Sequence, residues 1–133
     1  MKVVVHVDGG SRGNPGPAAA GAVVTDAGGE VIDEAAEYIG IATNNVAEYR
    51  ALLLGLARAR ALGATEVEVI NDSELISKQV NGEYKVKHVD MKPLHAQAHA
   101  ALKDFDRWQV RSVRREHNAG ADALVNQALD AQA

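Results

Sequence analysis

The chain has 133 residues, 47% of them apolar, no cysteine and a net charge of -4. Such a length and apolar content suit one globular domain spanning residues 1–133 and exclude a disordered chain, while the absence of cysteine excludes disulfides and thiolate metal sites. No run is long and apolar enough to span a membrane, and Met1 leads directly into strand-like sequence, so a monomeric cytoplasmic protein with no membrane partner is expected.

Residues 3–8, Val-Val-Val-His-Val-Asp, read as a first strand. Val3, Val5 and Val7 share one face; Val4, His6 and Asp8 share the other. The strand delivers Asp8 to its carboxyl end, the edge of an α/β sheet where ligands bind. Gly9 and Gly10 follow and allow backbone or ligand to come close. Residues 19–26 and 30–39 read as second and third strands, separated by the Ala27-Gly28-Gly29 turn, so the first three strands form an antiparallel meander. Thr43 is placed to cap a helix over residues 46–62, with Val46, Tyr49, Leu53 and Leu56 as its sheet-facing stripe and Glu48 near its start.

A fourth strand, residues 65–71, ends on Asp72-Ser73. A short helix over residues 73–80, a basic loop over 84–90 and a helix over 92–105 follow, with Pro93 in the first turn of the second helix. Residues 108–114 alternate like a strand, with Trp108 expected in the core. The loop 115–120 leads into a last helix, 121–131, with Asp122 in its first turn. The order β-β-β-α-β-α-α-β-α predicts an α/β fold: a mixed five-stranded sheet of three antiparallel strands and then two parallel ones, with helices packed on both faces.

Charge is unevenly spread. From Lys78 to Arg115 there are nine Lys and Arg against four Asp and Glu, a balance of +5, leaving five against fourteen elsewhere. His95 and His99 have zinc-like i, i+4 spacing, but no third ligand is evident and they read as surface histidines. His6 reads as packed in the sheet.

Four acids stand out by position: Asp8 and Asp72 at strand ends, Glu48 and Asp122 in first helical turns. They converge if the first and fourth strands are parallel neighbours and the long helix starts at that edge. Four clustered carboxylates are unfavourable unless cations neutralise them. Oxygen-only ligands suit Mg2+ or Mn2+ rather than zinc. Two such ions about 4 Å apart can clamp the attacking and leaving oxygens of a phosphoryl displacement.

The motifs resemble those of type 1 ribonuclease H over essentially the whole chain. Asp8-Gly9-Gly10-Ser11 with Gly13-Asn14-Pro15-Gly16-Pro17, then Thr43-Asn44-Asn45-Val46-Ala47-Glu48, then Asn71-Asp72-Ser73, and finally Asn118 to Asn126 occur in that family's order. The resemblance implies a ribonuclease H-like fold and a catalytic, metal-binding set of Asp8, Glu48, Asp72 and Asp122. It implies two-metal hydrolysis of the RNA strand of an RNA–DNA hybrid, with Mg2+ or Mn2+, leaving 3′-hydroxyl and 5′-phosphate ends. It also implies substrate contacts from Gly10, Ser11, Asn14, Thr43, Asn44 and Asn45 in the minor groove, where 2′-hydroxyls are displayed. Double-stranded RNA is a further candidate partner, and an inactive hybrid-binding or double-stranded-RNA-binding module is the alternative function. An actin-like phosphotransferase would need a second lobe, for which 133 residues are too few.

Two departures stand out. The long loop that carries a catalytic histidine in many bacterial members is short here, leaving His117 as the candidate and Arg115 as its rival, a pattern resembling archaeal and actinobacterial-like members. The basic helical protrusion is also missing, since Val80 passes through Asn81-Gly82 directly into the 84–90 loop. Lys85 and Lys87 are therefore expected to serve in substrate binding.

Overall fold

The computed structural model describes residues 1–132. Five strands form one sheet: β1 (Lys2–Ser11), β2 (Gly16–Asp26), β3 (Val31–Ala42), β4 (Glu66–Asn71) and β5 (Arg107–Ser112). Their spatial order is β3-β2-β1-β4-β5. β1 pairs antiparallel with β2 and parallel with β4, and β4 pairs parallel with β5. Among the described residues four α-helices complete the fold: α1 (Asn44–Ala61), α2 (Glu74–Val80), α3 (Lys92–Leu102) and α4 (Ala119–Asp130). The expected mixed sheet, its strand directions and its helical layers are all present.

Helix α1 covers one face of the sheet and α4 the other. The α1 face holds the main core, with Val3, Val5, Val7, Tyr49, Leu52, Leu56, Val67 and Val69 all buried. The expected stripe on α1 is displaced. Tyr49 and Leu56 are buried, but Val46 and Leu53 are only half-buried, and Ala51, Leu52, Gly55 and Ala59 carry the contact instead. Small residues win because α1 lies very close to β1: a Cβ on Gly55 would fall 2.6 Å from Val7 Cγ1 and 2.7 Å from Val5 Cγ1. On the opposite face, Val125 and Leu129 of α4 close a smaller apolar cluster on Ala19.

Boundaries also shift. β1 runs past Asp8 to Ser11 because β2 supplies partners as far as Ser11–Ala18, whereas its pairing with β4 stops at His6–Ile70. Asp8 is thus inside the antiparallel half of β1, just beyond the last parallel pair. β3 extends to Ala42, α3 ends at Leu102 and α4 begins at Ala119. Trp108 departs from its expected place in the core. It lies on edge strand β5, is 37% exposed, and meets the ring of His99 edge-on because a sheet edge has neighbours on one side only.

Candidate active site at the carboxylate edge

Three elements bring their acids to one place. β1 presents Asp8, β4 ends immediately before Asp72, and α1 begins beside them with Glu48 in its second turn. Carboxylate oxygens of Asp8, Glu48 and Asp72 lie within 4.8 Å of one another. Close backbone packing sets this spacing: a Cβ on Gly9 would fall 2.1 Å from the Ala47 carbonyl oxygen and 2.6 Å from Glu48 N. Only glycine lets the start of α1 sit this near β1. Thr43 caps the helix through Oγ1, which accepts from Val46 N at 3.2 Å.

Asp72 sits in a turn organised by its buried neighbour Asn71. The Asn71 amide donates to Ser77 Oγ at 2.8 Å and to the Arg111 carbonyl at 3.2 Å, and its Oδ1 accepts from Ser73 N at 2.8 Å. Asp122, in the first turn of α4, stands beside Asp8 but outside the tight cluster of three. Below the acids, Val7, Leu52 and Ile76 floor a space of about 10 Å³, about one water in size.

This apolar floor raises the proton affinity of the acids. Burial, then the charges of Asp72, Asp122 and Glu48, push the Asp8 carboxyl up to about 8. Burial pushes Glu48 up to about 7, and Asp72 adds to the rise, while the Ser73 hydroxyl and Arg115 work against it. Asp72 is raised chiefly by burial, opposed by the Arg115 guanidinium. Among the described residues, Asp72 Oδ2 is buried without a hydrogen-bond partner. An unsatisfied buried carboxylate oxygen within a set of three acids is the environment a hard divalent cation completes. These residues therefore fit Mg2+ or Mn2+.

The other candidates surround this centre. Asn14 and Asn44 lock the β1–β2 turn to α1: Asn14 Oδ1 accepts from Asn44 N at 3.0 Å, and Asn44 Oδ1 accepts from Ser11 N at 3.2 Å. Their oxygens are engaged by backbone. Ser11 Oγ is buried without a partner among the described residues, and Gly10 lies beneath Asn44 Oδ1 and Val125. Asn45 is half-buried at the start of α1.

Arg115 and His117 are both exposed, in one short 3-10 turn. Arg115 Nε lies 3.7 Å from Asp72 Oδ2. His117 lines an open cleft with Asp72, Glu74 and Arg114. Lys85 and Lys87 are exposed in the loop before α3; Lys85 lines a separate groove with Tyr84, Lys92, His95 and His99. His95 and His99 are used structurally, with ring centroids 4.6 Å apart and His95 Nε2 donating to the Gln79 carbonyl at 3.1 Å.

Sequence reasoning assigned no role to Asn71 or Asn118. Each flanks a motif acid, at one and four positions, and that adjacency was the available signal. Asn118 is 1% exposed and donates through Nδ2 to the Val7 carbonyl at 2.8 Å.

Comparison with known proteins agrees with this geometry. The family profile for reverse transcriptase-like proteins matches residues 6–128. A bifunctional protein of Mycobacterium tuberculosis is 52% identical over 134 residues, and the chain spans 37% of its length. Ribonuclease HI of Halobacterium salinarum is 42% identical over 129 residues, 97% of this chain and 65% of that protein. The crystal structure of ribonuclease H1 from the same archaeon superposes with a TM-score of 0.96, covering 98% of both chains. LC11 ribonuclease H1, isolated from compost by a metagenomic approach, superposes in its complex with an RNA/DNA hybrid with a TM-score of 0.93 at 42% identity, covering 98% of both chains. With these carboxylates on this sheet and such relatives over nearly its full extent, the chain belongs to the type 1 ribonuclease H family.

Proposed function

We propose that this domain, residues 1–133, is an endonuclease that hydrolyses the RNA strand of RNA–DNA hybrids and leaves 3′-hydroxyl and 5′-phosphate ends. The observation that carries this reading is the convergence of Asp8, Glu48 and Asp72 within 4.8 Å at the edge of the sheet. The complex of LC11 ribonuclease H1 with an RNA/DNA hybrid supports the choice of substrate.

Asp8, Glu48, Asp72 and Asp122 would hold two divalent cations, Mg2+ or Mn2+, which when bound polarise the scissile phosphate and stabilise the attacking and leaving oxygens. The chain's own residues do the rest. Gly10, Ser11, Asn14, Thr43, Asn44 and Asn45 would contact the hybrid from the β1–β2 turn and the start of α1, two segments that the Asn14 and Asn44 bonds hold together. The side-chain amide groups of Asn14 and Asn44 have no acceptor among the described residues, whereas their oxygens are tied to backbone. Such donors suit the 2′-hydroxyls and sugar oxygens of a minor groove. Arg115 opposes the negative charge of Asp72 and is exposed enough to turn toward a phosphate. His117, in the cleft beside Asp72, is positioned to assist proton transfer or product departure. Lys85 and Lys87 bind the hybrid backbone from the loop that replaces the protrusion.

End-labelled hybrid incubated with Mg2+ tests the reading, with Asp72→Asn as comparison. The parent protein is expected to cut only the RNA strand, and the products to be extended by a polymerase without phosphatase treatment. Asp72→Asn removes one charge with almost no change of shape, so cleavage is lost while hybrid binding remains. Wild-type turnover by this variant would remove Asp72 from the metal site.

A further inference from the structure

Helix α4 begins at Asn118, yet the Asn118 side chain makes no cap hydrogen bond to its own helix. Its amide instead crosses to β1, donating to the carbonyl of Val7, 111 residues away in sequence. Val7 lies one position beyond the last β1–β4 pair and immediately before Asp8. The Asn118 carbonyl oxygen accepts from Asp122 N at 3.2 Å. One buried residue is therefore bonded to the backbone next to Asp8 through its side chain and to Asp122 through its main chain. Its Oδ1 is buried with no partner among the described residues. A residue selected only to start a helix would use that oxygen as the cap. The far half of α4 is held by different means: Val125 and Leu129 pack on Ala19, and Arg12 bonds Asp130 at 2.6 Å.

We propose that Asn118 is a positioning residue: its bond to the Val7 carbonyl sets the distance between the carboxylates of Asp122 and Asp8, and so completes the metal centre. The proposal rests on the reading of Asp122 as part of that centre. Asp122 is the one acid of the four outside the tight cluster, and it is carried by the last element of the chain. Its place is therefore the least determined by the sheet itself. A partner that orients a metal-binding group typically changes affinity or activity about 10- to 100-fold when lost.

The test compares Asn118→Ala, Asn118→Ser, Asp122→Asn and Leu129→Ala. Serine still starts a helix well but is too short to reach Val7. Leu129→Ala loosens α4 at its far end without touching the site. Calorimetric titration with Mn2+ in the absence of nucleic acid is the first readout; kcat and KM on hybrid are the second. The expected result is that both Asn118 variants weaken Mn2+ binding and lower kcat about tenfold or more, with KM nearly unchanged, and that Leu129→Ala lowers the Tm but moves neither readout. Serine in place of Asn118 should keep most of the Tm and still show both losses. Wild-type Mn2+ affinity and kcat in Asn118→Ser would overturn the proposal, as would equal losses in Leu129→Ala. If Asp122→Asn cleaves normally, the assignment of Asp122 falls and the proposal with it. If Asp122→Asn is inactive while both Asn118 variants are normal, the proposal alone falls.

Discussion

His117 and Arg115 are the two candidates for one proposed role beside the acids, and their surroundings differ. Arg115 already interacts with Asp72 at 3.7 Å, so part of its effect is to hold that carboxylate ionised. His117 lines the open cleft that Asp72 and Glu74 also line. A group that assists a metal-centred reaction contributes less than the centre itself. His117→Ala is therefore expected to lower kcat by less than about 10²-fold, the lower end of what a general acid–base group contributes, and by less than any carboxylate change. Steady-state kinetics on hybrid substrate check this. A loss matching that of Asp8→Asn would place His117 among the essential groups, and no loss would transfer the role to Arg115.

At the scale of elements, the site depends on how closely α1 approaches β1. Gly9 and Gly55 both lie on this contact, Gly9 on β1 facing the start of the helix and Gly55 in the middle of the helix itself. At Gly9 the obstacle to a Cβ is backbone, the Ala47 carbonyl, which cannot rotate away as a side chain could. Gly9→Ala must push the start of α1 outward and carry Glu48 with it. The expected cost is about 2 kcal/mol or more in denaturant unfolding, the scale of an overpacked core, together with a fall in kcat from displacement of Glu48. Gly28→Ala is the matched control. Its Cβ would meet only Asp26 Oδ1, at 3.4 Å in an exposed turn, and both stability and turnover should stay near the parent. Equal effects of the two substitutions would mean that the close approach at Gly9 does not set the site.

For the whole molecule, the acid cluster links stability to pH. Asp8 and Glu48 are pushed up to about 8 and about 7 in the folded protein, against ordinary values of 3.8 and 4.5. Between those limits the metal-free folded state holds protons that the unfolded chain has released, so stability falls as pH rises and levels off above about 8. His6 and His99, both lowered from 6.5 by burial, act in the opposite sense, but only below 6.5. Between pH 6.5 and 8.5 the acids act alone. The Tm measured with EDTA should fall over that window, Asp8→Asn should flatten the fall, and Mg2+ should raise the Tm more at pH 8.5 than at 6.5, because the cation binds the ionised acids. A metal-free Tm that rises across this window would contradict the assignment.

The same scale governs substrate attachment. The protein is acidic overall, with its positive balance confined to residues 78–115. Each phosphate contact contributes about 0.9 to the slope of log affinity against log salt on duplex DNA. If Lys85 and Lys87 hold the hybrid as proposed, changing both to alanine should flatten that slope and raise KM several-fold with kcat nearly unchanged, because such contacts would serve ground state and transition state alike. KM measured at several potassium chloride concentrations decides it, and an unchanged slope would return these lysines to ordinary solvated surface.

What the sequence by itself determined is local chemistry: alternating valines, the Thr43 cap, Gly63 after α1 and Asn81-Gly82 after α2, and four motifs each carrying an acid. These depend on interactions within a few residues, so their signals are contiguous in the chain. Only the tertiary structure decided which faces meet. The stripe of α1 turned toward Ala51, Leu52 and Gly55 because backbone proximity to β1 outweighs side-chain size, and no periodicity within the helix reports the shape of the strand opposite. Trp108 came out at an edge because strand order, not strand composition, decides what has a neighbour. For Asn71 and Asn118 the sequence offered only adjacency to a motif acid, since their bonds to Arg111 and Val7 span 40 and 111 residues, and asparagine before a helix ordinarily signals a cap. The sequence supplied the acids. Their spacing, and the burial that raises their proton affinity, arise from contacts between segments far apart in the chain, which close only when the sheet is complete.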